Sequence, residues 1–446
     1  MSERVSKYAI LSDQVYHGIE GPVRLLYQTT TATLHALPAA VGNALADHAP
    51  DRLTETERAY LVDAGVLTTT SEDIPARQQA ASSAKTLRKF TLLPTSYCNM
   101  GCAYCGQEHT KGILAPHHRG AIAARIDAAM ADPGVCEVLV NWFGAEPMMG
   151  FAVIRALSTA FAASAERHGK HYSARMVTNG SLLTIRKLRT LHSHCRVQHC
   201  EITIDGPAPV HDAHRPLKGG GGSYDKIVET IARALGDGSL GGLSFSIRTN
   251  IDANNCDYLD GFFEDLAHRG LAHPRVRFSL KPIHPWGNDI SQLQVSRQHY
   301  AELETMLLER LLDLGLNIEL LPTAPAGPVC SAVTRSAEVI SSDGQVFSCT
   351  EQPLVPKEVA SAVGHLTELP ILNLRPAGAF DDWHNRVSRG DVPCSGCVFL
   401  PVCGGACPKA WVDGNVPCPS YKLNHQARMR LSAQINGLTE ITGSVL

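Results

Sequence analysis

Net charge is nearly absent from this sequence: 40 lysines and arginines stand against 43 aspartates and glutamates, a formal −3 at pH 7. No overall basic field exists to attract nucleic acid or an anionic membrane, so neither is expected as a partner. The opening MSERVSKYAILSDQVYHG lacks the basic and apolar stretches of a signal peptide. No apolar run approaches the roughly 18–20 residues of a membrane span. These absences predict a soluble, cytoplasmic protein. The Gly219–Gly222 run lacks a closely preceding strand and the Lys-Ser/Thr of a phosphate-binding loop, and reads as a flexible turn.

Cysteine, by contrast, is abundant, with 14 in 446 residues. In a reducing cytosol disulfides seldom persist, and clustered thiols bind metal or do chemistry. Cys98, Cys102 and Cys105 lie together, and Cys330, Cys349, Cys394, Cys397, Cys403, Cys407 and Cys418 lie late in the chain. The scattered Cys136, Cys195, Cys200 and Cys256 are expected to be small buried hydrophobes.

The length excludes a single small domain and predicts a large central one with smaller attachments. Residues 1–80 read as a small unit, with β-like segments at Tyr8–Leu11 and Arg24–Gln28 and helices over Leu37–Ala46 and Glu55–Ala64. The polar stretch Ser71–Lys85 reads as a linker that would let this unit move. From Lys89, apolar runs alternate with helical segments, which predicts a parallel α/β sheet. Strands are expected at Lys89–Pro94, Glu137–Phe143, Tyr172–Thr178, Gln198–Ile204, Leu243–Asn250 and Arg275–Lys281. Helices are expected at Arg119–Met130, Phe151–His168, Thr184–His192, Tyr224–Leu235, Asp257–Arg269 and near Gln298–Leu314. Six strands predict an incomplete barrel over residues 81–310, with its chemistry at the C-terminal strand ends. The tail, residues 311–446, shows little periodicity and is expected to need metal centres to fold.

Cys98-Asn99-Met100-Gly101-Cys102-Ala103-Tyr104-Cys105 follows the first expected strand. Three thiolates in a C-x3-C-x2-C spacing can hold a [4Fe–4S] cluster and leave one iron open. A zinc site completed by His109 or His117 is the alternative. With the aromatic Tyr104 just before the third cysteine, the motif resembles the radical S-adenosylmethionine superfamily, and the resemblance covers roughly residues 88–290. It implies that S-adenosylmethionine chelates the open iron at Cys98, Cys102 and Cys105 and is split to a 5′-deoxyadenosyl radical, which abstracts hydrogen from an unactivated carbon. Gly144-Ala145-Glu146-Pro147 is similar to the family's GGEP motif, in which Glu146 would accept from the cofactor's ammonium; an ordinary strand-to-helix loop is the alternative. Thr178-Asn179-Gly180-Ser181 and Thr203-Ile204-Asp205-Gly206 resemble the TNG and S-I/L-D-G segments, and His211, Asp212 and Arg215 the HDxxR pattern. The cofactor-binding residues so implied are Tyr104, Gly144, Glu146, Pro147, Asn179, Thr203, Asp205, Arg215 and Arg248. Arg215 or Arg248 would pair with the cofactor's carboxylate, and a structural role is the alternative for each of these residues.

In the tail, Cys330-x13-Gly344-x4-Cys349 precedes Cys394-x2-Cys397-x5-Cys403-x3-Cys407 and, ten residues on, Cys418. This series resembles the SPASM domain of peptide and sulfatase maturases across about residues 330–420; a zinc ribbon would explain four of the cysteines but not seven in this order. The resemblance implies one auxiliary [4Fe–4S] cluster on Cys394, Cys397, Cys403 and Cys418, and another on Cys330, Cys349 and Cys407. For the fourth ligand of that second cluster, a non-cysteine side chain, a solvent-bound iron and an iron open to a substrate thiolate all remain. An auxiliary cluster suits an oxidative reaction, because the product radical must lose an electron.

The expected fold class is therefore α/β: a partial (β/α)6 TIM-like barrel with a small N-terminal α+β, winged-helix-like domain and a C-terminal iron–sulfur SPASM domain. The expected cofactors are three [4Fe–4S] clusters and S-adenosyl-L-methionine, with an external electron donor such as a flavodoxin or ferredoxin. Leu25-Leu26-Tyr27 and the segment Leu61–Leu67 resemble the N-terminal extensions of peptide maturases, which capture a leader peptide by strand addition; a plain cap on the barrel is the alternative. The function implied is an oxidative intramolecular crosslink, thioether or carbon–carbon or carbon–oxygen, in a ribosomally made precursor peptide with leader and core. Excision and epimerisation are also compatible with these motifs. Alternatives are sulfatase-maturase-like oxidation of a Ser or Cys in a protein, and a non-catalytic electron carrier. Sulfatase maturases place an aspartate after the Gly-x4-Cys cysteine; here Thr350 follows Cys349 and Glu351 comes one later, which counts against that reading.

Overall fold

Alternation of apolar and polar residues in the central third of the chain builds a sheet with unlike faces. The structure, a computed structural model, describes residues 3–70, 72–84, 86–371 and 374–441. It divides into two compact units: Ser83–Glu319 with Ser331–Asp381, and Met1–Ser82 with Leu320–Cys330 and Asp382–Leu446.

In the first of these, six parallel strands lie side by side in chain order: β1 (Leu87–Leu92), β2 (Glu137–Trp142), β3 (His171–Thr178), β4 (Val197–Thr203), β5 (Ser244–Ile251) and β6 (Val276–Pro282). Each lies within two residues of its expected ends. Val138, Val140, Trp142, Ala174, Met176, Cys200, Ile202, Phe245 and Ile247 are buried in one core with the helices that follow the strands. The intervening residues are less buried, so the helices cover one face and leave the other polar. The stretch Pro147–His168, contrary to expectation, is long and apolar enough to span a bilayer (22 residues, mean hydropathy 1.4). Its Val153, Ile154, Leu157 and Phe161 are buried in the same core, which accounts for the apolarity.

Three further strands come from the tail. β7 (Ala337–Ile340) runs parallel to β1 at the sheet's other side, and β8 (Gln345–Phe347) and β9 (Gly364–His365) add antiparallel. The order runs linearly from β6 to β9. Residues 331–381 thus belong with the central sheet, which corrects the cut at residue 310. The physical reason is a buried ion triad: Glu338 on β7 accepts from Arg88 Nη2 on β1 at 2.6 Å and from Arg125 Nε on the helix Pro116–Ala131 at 2.6 Å. The fully buried Arg375 donates to the carbonyls of Ala332, Thr334 and Ala337 and pairs with Asp381.

The other unit holds an antiparallel sheet of Ala9–Gly18, Gly21–Gln28 and Thr33–Pro38, joined by Thr439–Glu440 from the far end of the chain. Ile10, Tyr16, Leu25 and Tyr27 share a core with Met429 and Ala433 of the helix Tyr421–Ile435. Leu26 and Leu37 bury against Val41, Leu45 and Leu61, on the helices Ala39–Ala46 and Glu55–Asp63. The latter helix starts in a capping box between Thr54 and Glu57. The expected mobile linker is instead largely helical over Ile74–Ser82. Alanine and glutamine favour helix, and Gln78 Nε2 donates to Leu400 O at 3.0 Å within the same unit. Ser71 and Lys85 lie outside the described residues.

Candidate active site

Register across the sheet assembles the site. Val177 pairs with Glu201 across β3 and β4, and Thr203 with Arg248 across β4 and β5, on the face away from the helices. These four line an open cavity of about 230 Å³ at the C-terminal strand ends. Its wall also holds Cys98, Cys102 and Cys105 after β1, Phe143 to Ala145 after β2, Asn179 after β3, and Ile283, His284 and Trp286 after β6. Gly106 is required here: a Cβ would run into the carbonyl group of Trp286. Gly144 adopts φ +110°, and a Cβ there would meet Leu93 Cγ at 2.5 Å, so the loop after β2 needs its first glycine.

Hydrogen bonds fix the cysteine loop. Asn179 Nδ2 donates to Asn99 Oδ1 at 2.9 Å and lies 3.9 Å from Cys98 Sγ. Asn99 Nδ2 donates to Ser181 Oγ at 2.9 Å, and Gly101 N to Pro216 O at 2.9 Å. Burial pushes the Cys98 thiol up to about 11 and raises that of Cys105 as well.

Behind this wall lies a buried charge cluster. Asp205 accepts from Tyr104 Oη at 2.6 Å and from Asn250 N at 2.8 Å, and pairs with His214 Nδ1 at 3.1 Å and Arg215 Nη1 at 3.4 Å. His214 Nε2 reaches Asp252 at 2.7 Å. Two anions thus face two cations. Burial pushes the Asp205 carboxyl up, but the Arg215 charge and the His214 hydrogen bond outweigh it and hold Asp205 at about 2. Burial likewise disfavours charge on His214, yet Asp205 and Asp252 raise it to about 9. Arg215 also donates to the Tyr104 hydroxyl, and its buried Nε has no partner among the described residues.

The expected residues divide by place. Tyr104, Gly144, Asn179, Thr203, Arg215 and Arg248 line the cavity with the three cysteines, whereas Glu146, Pro147 and Asp205 are buried and are not among its lining residues. Glu146 does not present an open carboxylate: it accepts from Met148 N at 2.9 Å, Thr178 Oγ1 at 2.7 Å and Asn179 N at 2.7 Å. Burial nevertheless raises its carboxyl above the ordinary value. It braces the loops after β2 and β3 against each other. His211 and Asp212 are scaffold as well. His211 Nδ1 accepts from Asp205 N at 3.2 Å, and Asp212 Oδ1 accepts from Ser223 N at 2.7 Å and Tyr224 N at 3.2 Å, which ties down the Gly219–Gly222 turn. Glu201, His284, Trp286 and Glu351 line the cavity without having been expected there. The period-2 rule applied to β4, and the strand-end rule applied to β6, would have found the first three. Of the two histidines considered for zinc, His109 lines the cavity, while His117 meets His118 edge to face with ring centroids 4.0 Å apart.

In the other unit, Cys394, Cys397, Cys403 and Cys418 line one small apolar pocket with Phe399, Leu400 and Lys422. Burial pushes Cys394 up to about 12 and Cys403 to about 11. Cys330 and Cys407 belong to this unit and Cys349 to the other. Among the scattered cysteines, Cys195 and Cys200 are buried as expected, but Cys136 is exposed and Cys256 half-buried.

Residues 92–247 match the radical SAM superfamily model. This chain carries a radical SAM domain. An uncharacterized protein of Synechocystis sp. is 31% identical over 148 residues, which are 31% of this chain and 35% of that one. The chain spans about a third of the length of this curated relative. The structure of native anSMEcpe with bound AdoMet and Cp18Cys peptide superposes at a TM-score of 0.59, with 16% identity, over 79% of this chain and 99% of that one. Streptococcus suis SuiB bound to precursor peptide SuiA covers 93% of this chain and 98% of its own, at 13% identity and a TM-score of 0.47.

The radical SAM domain implies a [4Fe–4S] cluster and S-adenosylmethionine, and the residues present fit both. Three thiols share one cavity wall, and the donor set suits iron–sulfur ligation with one iron left open. The unpartnered Arg215 Nε is a buried donor whose cost a carboxylate would remove.

Proposed function

We propose that the protein is a radical SAM/SPASM-type maturase that installs an oxidative intramolecular crosslink in a ribosomally made precursor peptide. The observation that carries this reading is the pairing of two thiol sites of different size and polarity: three cysteines on the wall of a partly polar cavity of about 230 Å³, and four lining a small apolar pocket of about 20 Å³. A roomy site suits a reacting cofactor, and a small apolar one suits electron storage.

Cys98, Cys102 and Cys105 would hold the catalytic cluster, and Cys394, Cys397, Cys403 and Cys418 an auxiliary one. Cys330, Cys349 and Cys407 are proposed from their spacing alone to hold a third. With S-adenosylmethionine bound, such a cluster would supply radical chemistry that abstracts hydrogen from an unactivated carbon. Arg215 binds the cofactor's carboxylate, held in place by Asp205 and Tyr104; Asn179 orients the cysteine loop; Trp286 and His284 form the wall against which a substrate side chain rests and from which water is excluded. A flavodoxin or ferredoxin supplies electrons, and the reaction is placed in the cytoplasm. The likeness in fold to anSMEcpe, whose structure contains AdoMet and a peptide, supports a peptide substrate. Among the described residues the edge of Thr33–Pro38 pairs only with Gly21–Gln28, which supports leader capture by strand addition.

A second reading is oxidation of a Ser or Cys in a protein substrate. It is favoured by Glu351, whose carboxylate lies in the cavity wall one residue later than a sulfatase-maturase base would.

The deciding experiment is mass spectrometry of anaerobic reactions with S-adenosylmethionine, reductant and short peptides encoded beside this chain's coding sequence. A peptide lighter by two hydrogens, together with 5′-deoxyadenosine, is expected. Cofactor cleavage with every peptide unchanged, alongside turnover of a protein substrate, would favour the second reading, and no 5′-deoxyadenosine at all would leave an electron carrier. Removing the leader from a labelled precursor should weaken binding at least tenfold; equal affinity would end the strand-addition idea.

A further inference from the structure

The pocket of Cys394, Cys397, Cys403 and Cys418 is apolar apart from one feature. The helix Tyr421–Ile435 begins three residues after Cys418, with Tyr421 packed against the same core as Cys403 and Lys422 on the pocket wall. The Tyr421 side chain and the Gly405 backbone lie beside Cys403. Lys422 Nζ lies 4.0 Å from Cys418 Sγ and lines the pocket. The Phe399 ring holds Tyr421 in place, with centroids 5.5 Å apart.

Reducing an iron–sulfur cluster adds one negative charge to a group that is already anionic. An apolar wall opposes that addition, whereas hydrogen bonds to sulfur and a nearby cation favour it. At low local dielectric a single cation weighs more than it would in water. We propose that Tyr421 and Lys422 raise the reduction potential of the cluster on these four cysteines, making it an electron acceptor. The proposal rests on the auxiliary-cluster assignment above. Neither residue is required as an iron ligand; both act through Cys403 and Cys418 and are positioning residues.

The test is an anaerobic potentiometric titration of the reconstituted full chain, followed by electron paramagnetic resonance. The relevant signal is the one that Cys394→Ser removes. Tyr421→Phe and Lys422→Met should each keep their iron and move the midpoint to more negative potential, on a scale of about 59 mV per tenfold change in the one-electron equilibrium. Lys422→Arg, which keeps the charge, should restore most of the shift. An unmoved midpoint in both variants with the signal intact would overturn the proposal. So would loss of iron from Lys422→Arg as well as from Lys422→Met, which would make the lysine structural. If Cys394→Ser removes no signal, the cluster assignment itself fails, an outcome distinct from an unmoved midpoint.

Discussion

Glu146 shows how a side chain can carry a motif without facing the ligand. Its carboxylate takes three hydrogen bonds, from the segment that follows β2 and from the last residue of β3 and the one after it. Glu146→Gln replaces one acceptor oxygen by a donor facing donors, and should cost about 1–3 kcal/mol in urea denaturation. Cofactor cleavage should fall with it, because Asn179 loses its anchor; undiminished stability would refute the brace. His214 predicts a pH dependence. Its pKa is about 9 in the fold against an ordinary 6.5, so its contribution is complete below about 6.5 and is lost as pH rises through about 9. A loss on the order of 3 kcal/mol is expected across that window. Denaturation midpoints measured from pH 6 to about 10 check this, and His214→Asn should flatten the decline. Residue identities along the cavity were partly legible: Asn179 stands at a strand end, and Tyr104 and Arg215 lie in motifs within the connections that follow β1 and β4. Glu351 was not, because its place depends on strands added to the sheet from far along the chain.

Elements were more legible than their partners. The six central strands follow from their own apolar alternation, a local property. β7 to β9 are four residues or fewer, too short to show a period. What seats β7 is the Glu338 carboxylate between Arg88 and Arg125, charges far apart in sequence. Glu338→Ala would remove the anion between two buried cations and should cost about 3–5 kcal/mol in chemical denaturation. A change under 1 kcal/mol would show the triad to be incidental. The helix Tyr421–Ile435 escaped notice because buried and exposed residues are mixed along it: Met429 and Ala433 enter one core, while Asn424 and Arg428 are buried as polar groups. Arg428 Nη1 donates to Leu320 O at 2.6 Å, a partner no periodicity encodes.

For the whole molecule, the division of labour between thiol sites predicts that replacing Cys98, Cys102 and Cys105 together by Ala abolishes 5′-deoxyadenosine formation and keeps the iron of the tail cysteines. Iron analysis and cofactor turnover on one preparation test this, and complete loss of iron would contradict it. The sequence by itself determined the radical SAM motif, the parallel strands and the spacing of the cysteines, since each is written in neighbouring residues. Only the tertiary structure decided that residues 331–381 extend the central sheet and that the two ends of the chain share one core. It also decided that Glu146 and Asp205 support the cavity without lining it. Burial, ion pairing and strand register join residues tens to hundreds of positions apart, and no local pattern records which of them will meet.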